Sequence, residues 1–551
     1  MKEKLLICFL FIGTSLLAQD SISKKTAALA ASFFDMSFTE PELDSMLNGL
    51  KDNLQLYKRI HGLSLNNNVP MSLWQSPMLP GMKFETKQNP INWNIPVNVQ
   101  MPKNKNEIAF YSILQLASLL KNKKISSVEL TQFFINRIKK YADTLQCVIT
   151  ITEEIAMKEA KKADAEIAKG IYKGPLHGIP YGLKDLFAVK GFKTTWGAEP
   201  YKNQTIDEDA FVYKKLQEAG AVLVAKFTLG ALAMGDYWFG GRTKNPWNLN
   251  AGSSGSSAGS TSATVAGLVP FALGTETLGS IISPSHTCGA TGLRPTFGSV
   301  GRSGAMTLSW SLDKVGPICR SAEDAAVVFN YIHGADKNDL SSVNRPFNYS
   351  NESNIKKLRI AYAKNYFSKT DTSRNEWKVL EAFKKMGVQV EAIDFPDSGY
   401  YNVNIVRPII NAECAAAFDE FTRTNVDDMM TRQTKNDWPN SFRTARFIPA
   451  VEYINANRHR YVLMQKVNDV MSKYDVIICP TRGAAGNQLS ITNLTGHPAV
   501  CLPTGFEGRQ NLPSSITLVG KLYGEANLLF VAKFLQDATS WNDIHPEMFK
   551  Q

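Results

Sequence analysis

The chain has 551 residues and a net formal charge of +11, with 44% hydrophobic and 20% charged residues. These values exclude a disordered or fibrous chain, and the length is sufficient for one large core or a few ordinary ones. The lysines and arginines are scattered among 50 acidic residues, and their densest groups, 121–124 and 137–140, are typical of solvated helix faces. We therefore expect no nucleic-acid partner.

The N-terminus has the pattern of a secretory signal peptide. Lys2 and Lys4 precede an apolar run over residues 5–17, which ends next to the small residue Ala18. Such a run is too short to span a bilayer, and no other stretch reaches membrane length. We expect residues 1–19 to be cleaved and the mature chain to be periplasmic or secreted, without stable membrane insertion.

Six cysteines follow the predicted signal peptide, far apart and without a CxxC pair. Most of them lie in apolar segments, so buried free thiols are expected rather than a disulfide framework, although a single disulfide is left open. The seven histidines show no metal-ligand spacing, and we expect no metal site and no cofactor. The six cysteines are Cys147, Cys288, Cys319, Cys414, Cys479 and Cys501.

Residues 20–106 are predicted to form an N-terminal arm. The stretch 40–59 has helical periodicity, whereas 66–103 is rich in Pro, Asn and Trp and is typical of an extended segment that wraps over a surface. Whether this arm covers a pocket mouth or a dimer face is left open, and so is a homodimer. The main domain is predicted over residues 107–545.

The main domain alternates helices and strands. Ser126 and Glu129 form a capping-box pattern ahead of a helix to about Tyr141, and a second helix is predicted from Glu153 to Lys169. The later alternating segments are 209–220, 221–225, 322–334, 358–362, 375–386, 388–393, 451–474 and 476–479. This alternation predicts an α/β fold around one large mixed sheet, without an internal repeat.

The segment Gly174–Val189 places a lysine inside a predicted strand. Its first half is rich in Gly and Pro and must turn, and its second half is typical of a buried strand with Lys184 between Leu183 and Leu186. A buried lysine is costly, so a lysine that points to solvent is the ordinary alternative. The local sequence leaves both interpretations open.

A run rich in serine and glycine begins at Gly252 and continues into the apolar segment Ala263–Leu273 and then Gly274–Ser280. A flexible linker has such a composition, but the apolar continuation favours an element that becomes buried. A second serine preceded by glycine, Ser280, follows the apolar segment within a few residues, which a linker would not need. We therefore interpret this stretch as the segment around which the chain is organised.

The same run contains a GxSxG pattern at Gly255–Gly259, which is typical of the nucleophile elbow of α/β-hydrolases. In that alternative, Ser257 is the nucleophile and a histidine such as His497 is the base. It is disfavoured because an elbow needs a hydrophobic strand directly before it, and residues 245–251 do not form one.

Together these segments resemble the amidase signature family, and their motifs occur in the order of that family. The matching segments are 174–185, 245–248, 274–280, 288–296, 313–317, 474–481, 496–499 and 520–529. The resemblance implies one large mixed β-sheet covered by helices on both faces. It also implies an amidase whose substrate is a small-molecule amide or a peptide amide.

The resemblance implies a catalytic triad of two serines and a lysine, with a cis peptide bond at the bridging serine. The lysine falls on Lys184, the bridging serine on Ser256 and the nucleophile on Ser280. Ser256 is selected because the family's two serines are 24 positions apart, as these two are, and Ser254 and Ser257 are lesser candidates. The implied oxyanion hole consists of the backbone N–H groups of Thr277, Leu278, Gly279 and Ser280.

The chemistry of these residue types supports such a triad. A serine hydroxyl is a poor nucleophile and needs a base within hydrogen-bond reach. A lysine can serve when burial lowers its pKa from about 10.4, so that the neutral amine is present at about pH 7. The bridging serine would pass the proton to the lysine and later to the leaving nitrogen. We expect an acyl-enzyme and the release of a carboxylate with ammonia or an amine.

The substrate pocket is less well specified. Leu278 replaces a glycine of the family and narrows the pocket floor. Met234 and Trp238 fall where relatives line the acyl pocket, although core packing is the commoner role of such residues.

Two other functions are compatible with the same fold. An amidotransferase-type subunit is disfavoured by the predicted signal peptide, because tRNA partners are cytosolic. A catalytically inactive binding protein is disfavoured because all three triad positions carry the required residues.

Overall fold

The structure is a computed structural model that describes residues 22–63, 66–69, 71–397, 403–481, 487–508 and 510–551. The predicted signal peptide, residues 1–19, lies outside the described residues. Across these described ranges, no helix is both long enough and apolar enough to cross a membrane. The chain divides into two compact units, Met1–Asn66 and Asn67–Gln551. The domain boundaries predicted at 19 and 106 stay predictions.

The first unit contains helices α1 (Lys24–Phe33) and α2 (Glu40–His61) in its described part. At the start of α2, the Thr39 N–H donates to Glu42 Oε2 over 2.7 Å. This capping box satisfies a backbone donor that the first helical turn cannot satisfy itself. The helix predicted over 40–59 is confirmed.

The second unit is built around a β-sheet, whose strands are accompanied by two short ribbons. In chain order the strands are β1 (Val148–Ile151), β2 (Pro180–Lys184), β3 (Val222–Phe227), β4 (Tyr237–Trp238), β5 (Gly241–Arg242), β6 (Lys244–Asn245), β7 (Asn248–Gly252), β8 (Phe271–Glu276), β9 (Thr291–Arg294), β10 (Lys314–Cys319), β11 (Ile360–Ala363), β12 (Val390–Ile393), β13 (Val476–Pro480), β14 (Ala499–Glu507) and β15 (Leu512–Gly520). The ribbons pair β4 with β5 and β6 with β7.

The sheet is mixed, and in the described part of the chain it has eleven strands in the order β1-β3-β2-β8-β10-β9-β14-β15-β13-β11-β12. Strand β2 runs parallel to both β3 and β8, whereas β10 runs antiparallel to β8 and β9. Parallel pairing of β2 with β8 matters for function, because it sets the carboxyl ends of two distant segments side by side.

Helices cover both faces of this sheet. They are α3 (Ile113–Lys121), α4 (Ser127–Leu145), α5 (Glu153–Ala168), α6 (Phe211–Glu218), α7 (Ala258–Val265), α8 (Ile282–Cys288), α9 (Ala322–Ile332), α10 (Lys364–Phe367), α11 (Asn375–Lys385), α12 (Val406–Ala417), α13 (Asp419–Arg423), α14 (Trp438–Ala445), α15 (Ala450–Met471), α16 (Gln488–Thr495) and α17 (Glu525–Thr539). In β3, Leu223 belongs to one buried cluster and Val222 and Val224 to another. Since consecutive strand residues point to opposite faces, both faces are buried, and the predicted α/β fold is confirmed.

Local sequence explains where the helices near the site begin and end. The Ser126 N–H donates to Glu129 Oε2 (2.9 Å) and its Oγ accepts from Glu129 N (3.1 Å), so α4 starts at the predicted capping box. Helix α4 ends where Gln146 takes a positive φ of 51°. Helix α5 ends just ahead of Gly170, whose φ is +81°, as glycine allows.

The stretch 71–104 contains no helix and no strand, as its composition predicts. It still packs closely, because Trp93 is buried and stacks on Tyr349 with ring centroids 5.6 Å apart. Gln88 pairs through its side chain with both backbone groups of Phe347. Side-chain contacts therefore hold residues 71–104 in place, although this segment forms no backbone hydrogen bonds of a strand or helix.

The six cysteines after the predicted signal peptide are all buried, and none of them forms a disulfide in the described ranges. The prediction of buried free thiols is confirmed. Burial raises the pKa of the Cys147 thiol to about 12, which keeps the thiol protonated and unreactive.

Candidate active site

Lys184 ends strand β2, which lies between β3 and β8 near the middle of the sheet. Every residue of β2 is buried, and Lys184 has 0% exposed surface. Its Nζ lies 2.8 Å from Ser256 Oγ, 2.8 Å from Thr275 Oγ1 and 3.3 Å from Ser257 Oγ. The alternative in which Lys184 points to solvent is therefore wrong, and the amine is surrounded by hydroxyl groups.

Burial lowers the pKa of Lys184 from 10.5 to about 7, because the charged amine loses its hydration. Asp313 and Glu276 favour the charged form, but their effect is smaller than that of burial. A neutral amine can accept a proton from a hydroxyl group, so this lysine can act as a general base at about pH 7.

Ser256 follows a cis peptide bond from Gly255, as the resemblance implies, and Ser257 precedes helix α7. A Cβ on Gly255 would lie 1.8 Å from Gly235 O, so only glycine fits there. The Ser257 Oγ donates to Thr275 O (3.1 Å) and accepts from Thr275 N (3.2 Å), which ties the start of α7 to β8. Because the Ser257 hydroxyl is held by the backbone of Thr275, the Ser256 hydroxyl is the serine group that lies closest to the lysine amine, at 2.8 Å.

Ser280 lies in the turn 277–280 between β8 and α8, and 9% of its surface is exposed. Its carbonyl oxygen accepts a hydrogen bond from Ser257 N over 3.1 Å. Gly279 has a φ of +92°, a conformation that favours glycine. The turn therefore lies directly against the start of α7, so the backbone of Ser280 lies next to the contact between Ser256 and Lys184.

The turn also presents free backbone donors. No acceptor in the described ranges takes the N–H groups of Leu278, Gly279 or Ser280. The Thr277 Oγ1 donates to Asp313 Oδ1 over 2.6 Å, which anchors the first residue of the turn. Several free N–H groups at one turn can stabilise negative charge on a substrate oxygen. Their assignment as the oxyanion hole stays a prediction.

Glu276, the last residue of β8, anchors the other end of the turn. Its Oε2 accepts hydrogen bonds from Ile281 N and Ile282 N, both over 2.9 Å. Its Oε1 lies 2.9 Å from Arg294 Nη1 and 2.9 Å from Asn493 Nδ2. Burial raises the pKa of Glu276, but Arg294 and these hydrogen bonds outweigh it and hold the pKa below its ordinary value. The carboxylate therefore stays charged and fixes the backbone that follows the predicted nucleophile.

A cavity adjoins this cluster, and its lining includes Thr275, Thr277 and Ala233. The predicted pocket residues Met234 and Trp238 are described but do not line that cavity. Met234 packs against the main core, and both side chains are half-buried. Their role in substrate binding stays a prediction.

Comparison with known proteins decides the family. The family model described as Amidase matches residues 129–529. The A subunit of the glutamyl-tRNA(Gln) amidotransferase of Coxiella burnetii (strain RSA 493 / Nine Mile phase I) is 32% identical over 487 residues, which cover 79% of this chain and 99% of that protein. The corresponding protein of Legionella pneumophila (strain Paris) is 32% identical over 485 residues, with the same coverage of 79% and 99%. The chain belongs to the amidase signature family.

The solved structures agree with this assignment. The native peptide amidase from Stenotrophomonas maltophilia is similar to this amidase with a TM-score of 0.71 and 25% identity, covering 81% of this chain and 100% of that one. The predicted enzyme class, a hydrolase of amide C–N bonds, is confirmed by the family match together with this likeness.

The nucleophile-elbow alternative does not fit the geometry of this amidase. Strand β7, which precedes the serines, pairs with β6 in a ribbon and does not belong to the central sheet. His497 is buried, its Nδ1 lies 2.8 Å from Thr495 Oγ1, and burial lowers its pKa to about 3. Ser257 Oγ contacts Lys184 and the backbone of Thr275, and no histidine in the described ranges hydrogen-bonds to it.

Sequence reasoning missed three residues that organise this amidase site: Thr275, Glu276 and Asp313. The first two end the otherwise apolar strand β8, all of which is buried or nearly so. Polar groups in such a strand are unfavourable unless they find partners. That conflict between residue type and burial is the signal that could have identified them.

The buried pair of Glu276 and Arg294 gives a stability prediction. We expect Glu276→Gln to lower the free energy of unfolding by about 3–5 kcal/mol, because it leaves the buried Arg294 charge without a carboxylate partner. Denaturant unfolding followed by circular dichroism measures this change. The matched control is Glu153→Gln at the exposed ion pair with Lys139 (2.6 Å), where less than about 1 kcal/mol is expected. Equal losses in the two variants contradict the prediction.

Proposed function

We propose that this amidase hydrolyses a carboxylic amide to a carboxylate and ammonia or an amine, with Ser280 as nucleophile, Ser256 as proton bridge and Lys184 as base. The observation that carries this proposal is the buried contact of Lys184 Nζ with Ser256 Oγ at 2.8 Å, beside the turn that holds Ser280. A lysine buried among hydroxyl groups is costly for stability, and a catalytic role accounts for that cost.

In the proposed reaction, the neutral amine of Lys184 accepts the proton of the Ser256 hydroxyl, which in turn accepts the proton of Ser280. The Ser280 oxygen bonds to the amide carbonyl carbon, and the carbonyl electron pair moves to its oxygen, where the N–H groups of the turn stabilise the charge. Collapse of this intermediate breaks the C–N bond, and the leaving nitrogen takes a proton from the lysine through Ser256. Water then hydrolyses the acyl-enzyme with the same base.

The substrate in this proposal is a small-molecule amide or a peptide amide. Export of the mature chain stays a prediction, since it rests on the pattern of residues 1–19, and so does a homodimer.

The proposal is tested by ammonia and amine release from the purified protein against primary amides, peptide amides, fatty amides and anilides. We expect turnover of at least one class, and a fluorophosphonate probe should modify Ser280, as located by peptide mass spectrometry. The matched control is the Ser257→Ala variant, which should be modified to the same extent. A probe adduct on Ser257, or no turnover of any amide, overturns the proposal.

A second candidate is an amidotransferase-type subunit, which the 32% identity to the glutamyl-tRNA(Gln) amidotransferase proteins favours. In that case the protein would work in an assembly, and the isolated chain would hydrolyse free amides poorly. Size-exclusion chromatography and mass spectrometry of the native complex distinguish the two, because a stable stoichiometric partner is expected only for the second candidate.

A further inference from the structure

The loop 230–236 holds two residues in a backbone conformation that favours glycine. Leu232 has a φ of 49° and a ψ of 41°, and Ala233 has a φ of 63°. In this left-handed region the Cβ of a residue crowds its own backbone, so the conformation is unfavourable and persists only where neighbouring groups hold it. Strained backbone of this kind is concentrated at functional sites. The contacts of this loop therefore bear on function.

The loop lies between the cavity and the backbone that leads to the bridging serine. On one side, Ala233 lines the cavity that adjoins the lysine and the serines. On the other side, a Cβ on Gly255 would lie 1.8 Å from Gly235 O, so the loop directly contacts the residue before the bridging serine. Asp236 Oδ2 also accepts from Ser254 N over 3.1 Å. A shift of this loop therefore changes both the cavity wall and the backbone that carries the bridging hydroxyl.

Both backbone groups of Leu232 are held from outside the loop. Its N–H donates to Trp196 O over 2.9 Å, and its carbonyl oxygen accepts from the indole Nε1 of Trp438 over 2.8 Å. Trp438 is buried and begins helix α14, 206 positions further along the chain. The ψ of Leu232 and the φ of Ala233 orient the peptide plane whose oxygen Trp438 binds. This hydrogen bond therefore acts directly on the two left-handed residues.

The two tryptophans that bind Leu232 are connected by packed aromatic rings. Trp438 stacks on Phe442 with ring centroids 4.9 Å apart, and Phe442 stacks on Phe418 at 5.4 Å. Phe418 in turn meets Trp196 edge to face at 6.0 Å. All four rings are buried, and aromatic pairs at these distances are favourable. The indole that binds the loop is therefore fixed by its own neighbours.

We propose that Trp438 is a positioning residue for the triad, because its indole N–H holds the peptide group of Leu232 and, with it, the backbone ahead of Ser256. This inference rests on the proposed function and adds to it a residue that acts through the loop 230–236. Without the indole N–H, the peptide plane can turn toward the right-handed backbone that Leu232 and Ala233 favour. The Ser256 hydroxyl is then placed less accurately against Lys184, and small misplacements lower reaction rates strongly.

The test uses Trp438→Phe, which keeps an aromatic ring beside Phe442 and removes the indole donor. We expect kcat/KM for the amide that wild type hydrolyses best to fall at least about tenfold, because the loop relaxes and the bridging hydroxyl loses its position. Circular dichroism shows that the variant is folded. An unchanged kcat/KM in the folded variant overturns the inference.

A second substitution distinguishes positioning from packing. Glycine adopts a positive φ without steric cost, so Ala233→Gly makes the conformation of the loop less dependent on the indole hydrogen bond. In the Ala233→Gly background, adding Trp438→Phe should lower kcat/KM by less than about threefold. A purely structural role for Trp438 predicts the same loss in both backgrounds, and that result overturns the inference.

Modification of Ser280 by a fluorophosphonate probe gives a readout that needs no amide substrate. Its second-order rate constant should fall at least about tenfold in Trp438→Phe, and less than about threefold when the background is Ala233→Gly. If wild type releases no ammonia or amine while this pattern holds, the proposed function fails and the inference stands. If wild type hydrolyses amides and neither rate depends on Trp438, the inference is wrong and the proposed function stands.

The matched control is Trp377→Phe, which also removes one indole hydrogen bond. Trp377 Nε1 donates to Thr370 Oγ1 over 2.9 Å, and its ring meets Phe367 edge to face at 5.3 Å. These three residues are described, and none of them lines the cavity. The control should change neither rate by more than about twofold, because it leaves the loop 230–236 in place. A loss as large as in Trp438→Phe overturns the inference.

Discussion

Replacement of Ser280 by alanine is expected to lower kcat/KM for the amide substrate by at least about 10⁴-fold, because the variant lacks the oxygen that forms the acyl-enzyme. Ammonia release under single-substrate conditions measures the loss, and the thermal unfolding midpoint shows that the variant is folded. Since the hydroxyl bonds to substrate only during the reaction, we expect the Kd for the intact amide to change far less than the rate.

The matched control for this substitution is Ser257→Ala, in the same buried cluster. Ser257 Oγ pairs with the backbone of Thr275, so its removal should lower the free energy of unfolding by about 1–3 kcal/mol and reduce activity much less. If Ser257→Ala abolishes turnover while Ser280→Ala retains it, the nucleophile has been assigned to the wrong serine.

The second large effect is the pH dependence set by Lys184. The pKa of this amine is lowered to about 7 by burial, and only its neutral form can accept a proton. The kcat/KM should therefore fall about tenfold for each pH unit below about 7 and level off above it. Lys184→Met should lose about 10³-fold or more in rate, and its residual activity should lack this acid limb.

The matched control here is Lys226→Met, a second buried lysine that is held in an ion pair with Asp185 at 2.8 Å. Removing it leaves the carboxylate unpaired and should lower the free energy of unfolding by about 3–5 kcal/mol. Rates are compared at pH values where circular dichroism shows a folded variant, and the acid limb should stay at about 7. Persistence of that limb in Lys184→Met rules out this lysine as the titrating base.

Much of the local structure could be predicted from the sequence. The capping box at Ser126 marks the start of α4, and the apolar run around Lys184 marks a buried strand, because capping and strand burial depend on neighbouring residues. The spacing of 24 positions between the two serines of the resembled family also selected Ser256, whose Oγ lies 2.8 Å from the lysine amine in the structure. Such features are local, so they can be inferred without knowing the order of the strands.

The sequence by itself thus determined the fold class and the family motifs, and the resemblance carried by those motifs implied the candidates for the triad. Only the tertiary structure decided that Lys184 is buried against Ser256 and Thr275, which lie 72 and 91 positions further along the chain. It also decided that Glu276 pairs with Arg294 and that α16 packs against the nucleophile turn through Leu489. These contacts follow from the pairing of β2 with β8 and from the packing of α16 against the turn, and no local pattern specifies either arrangement.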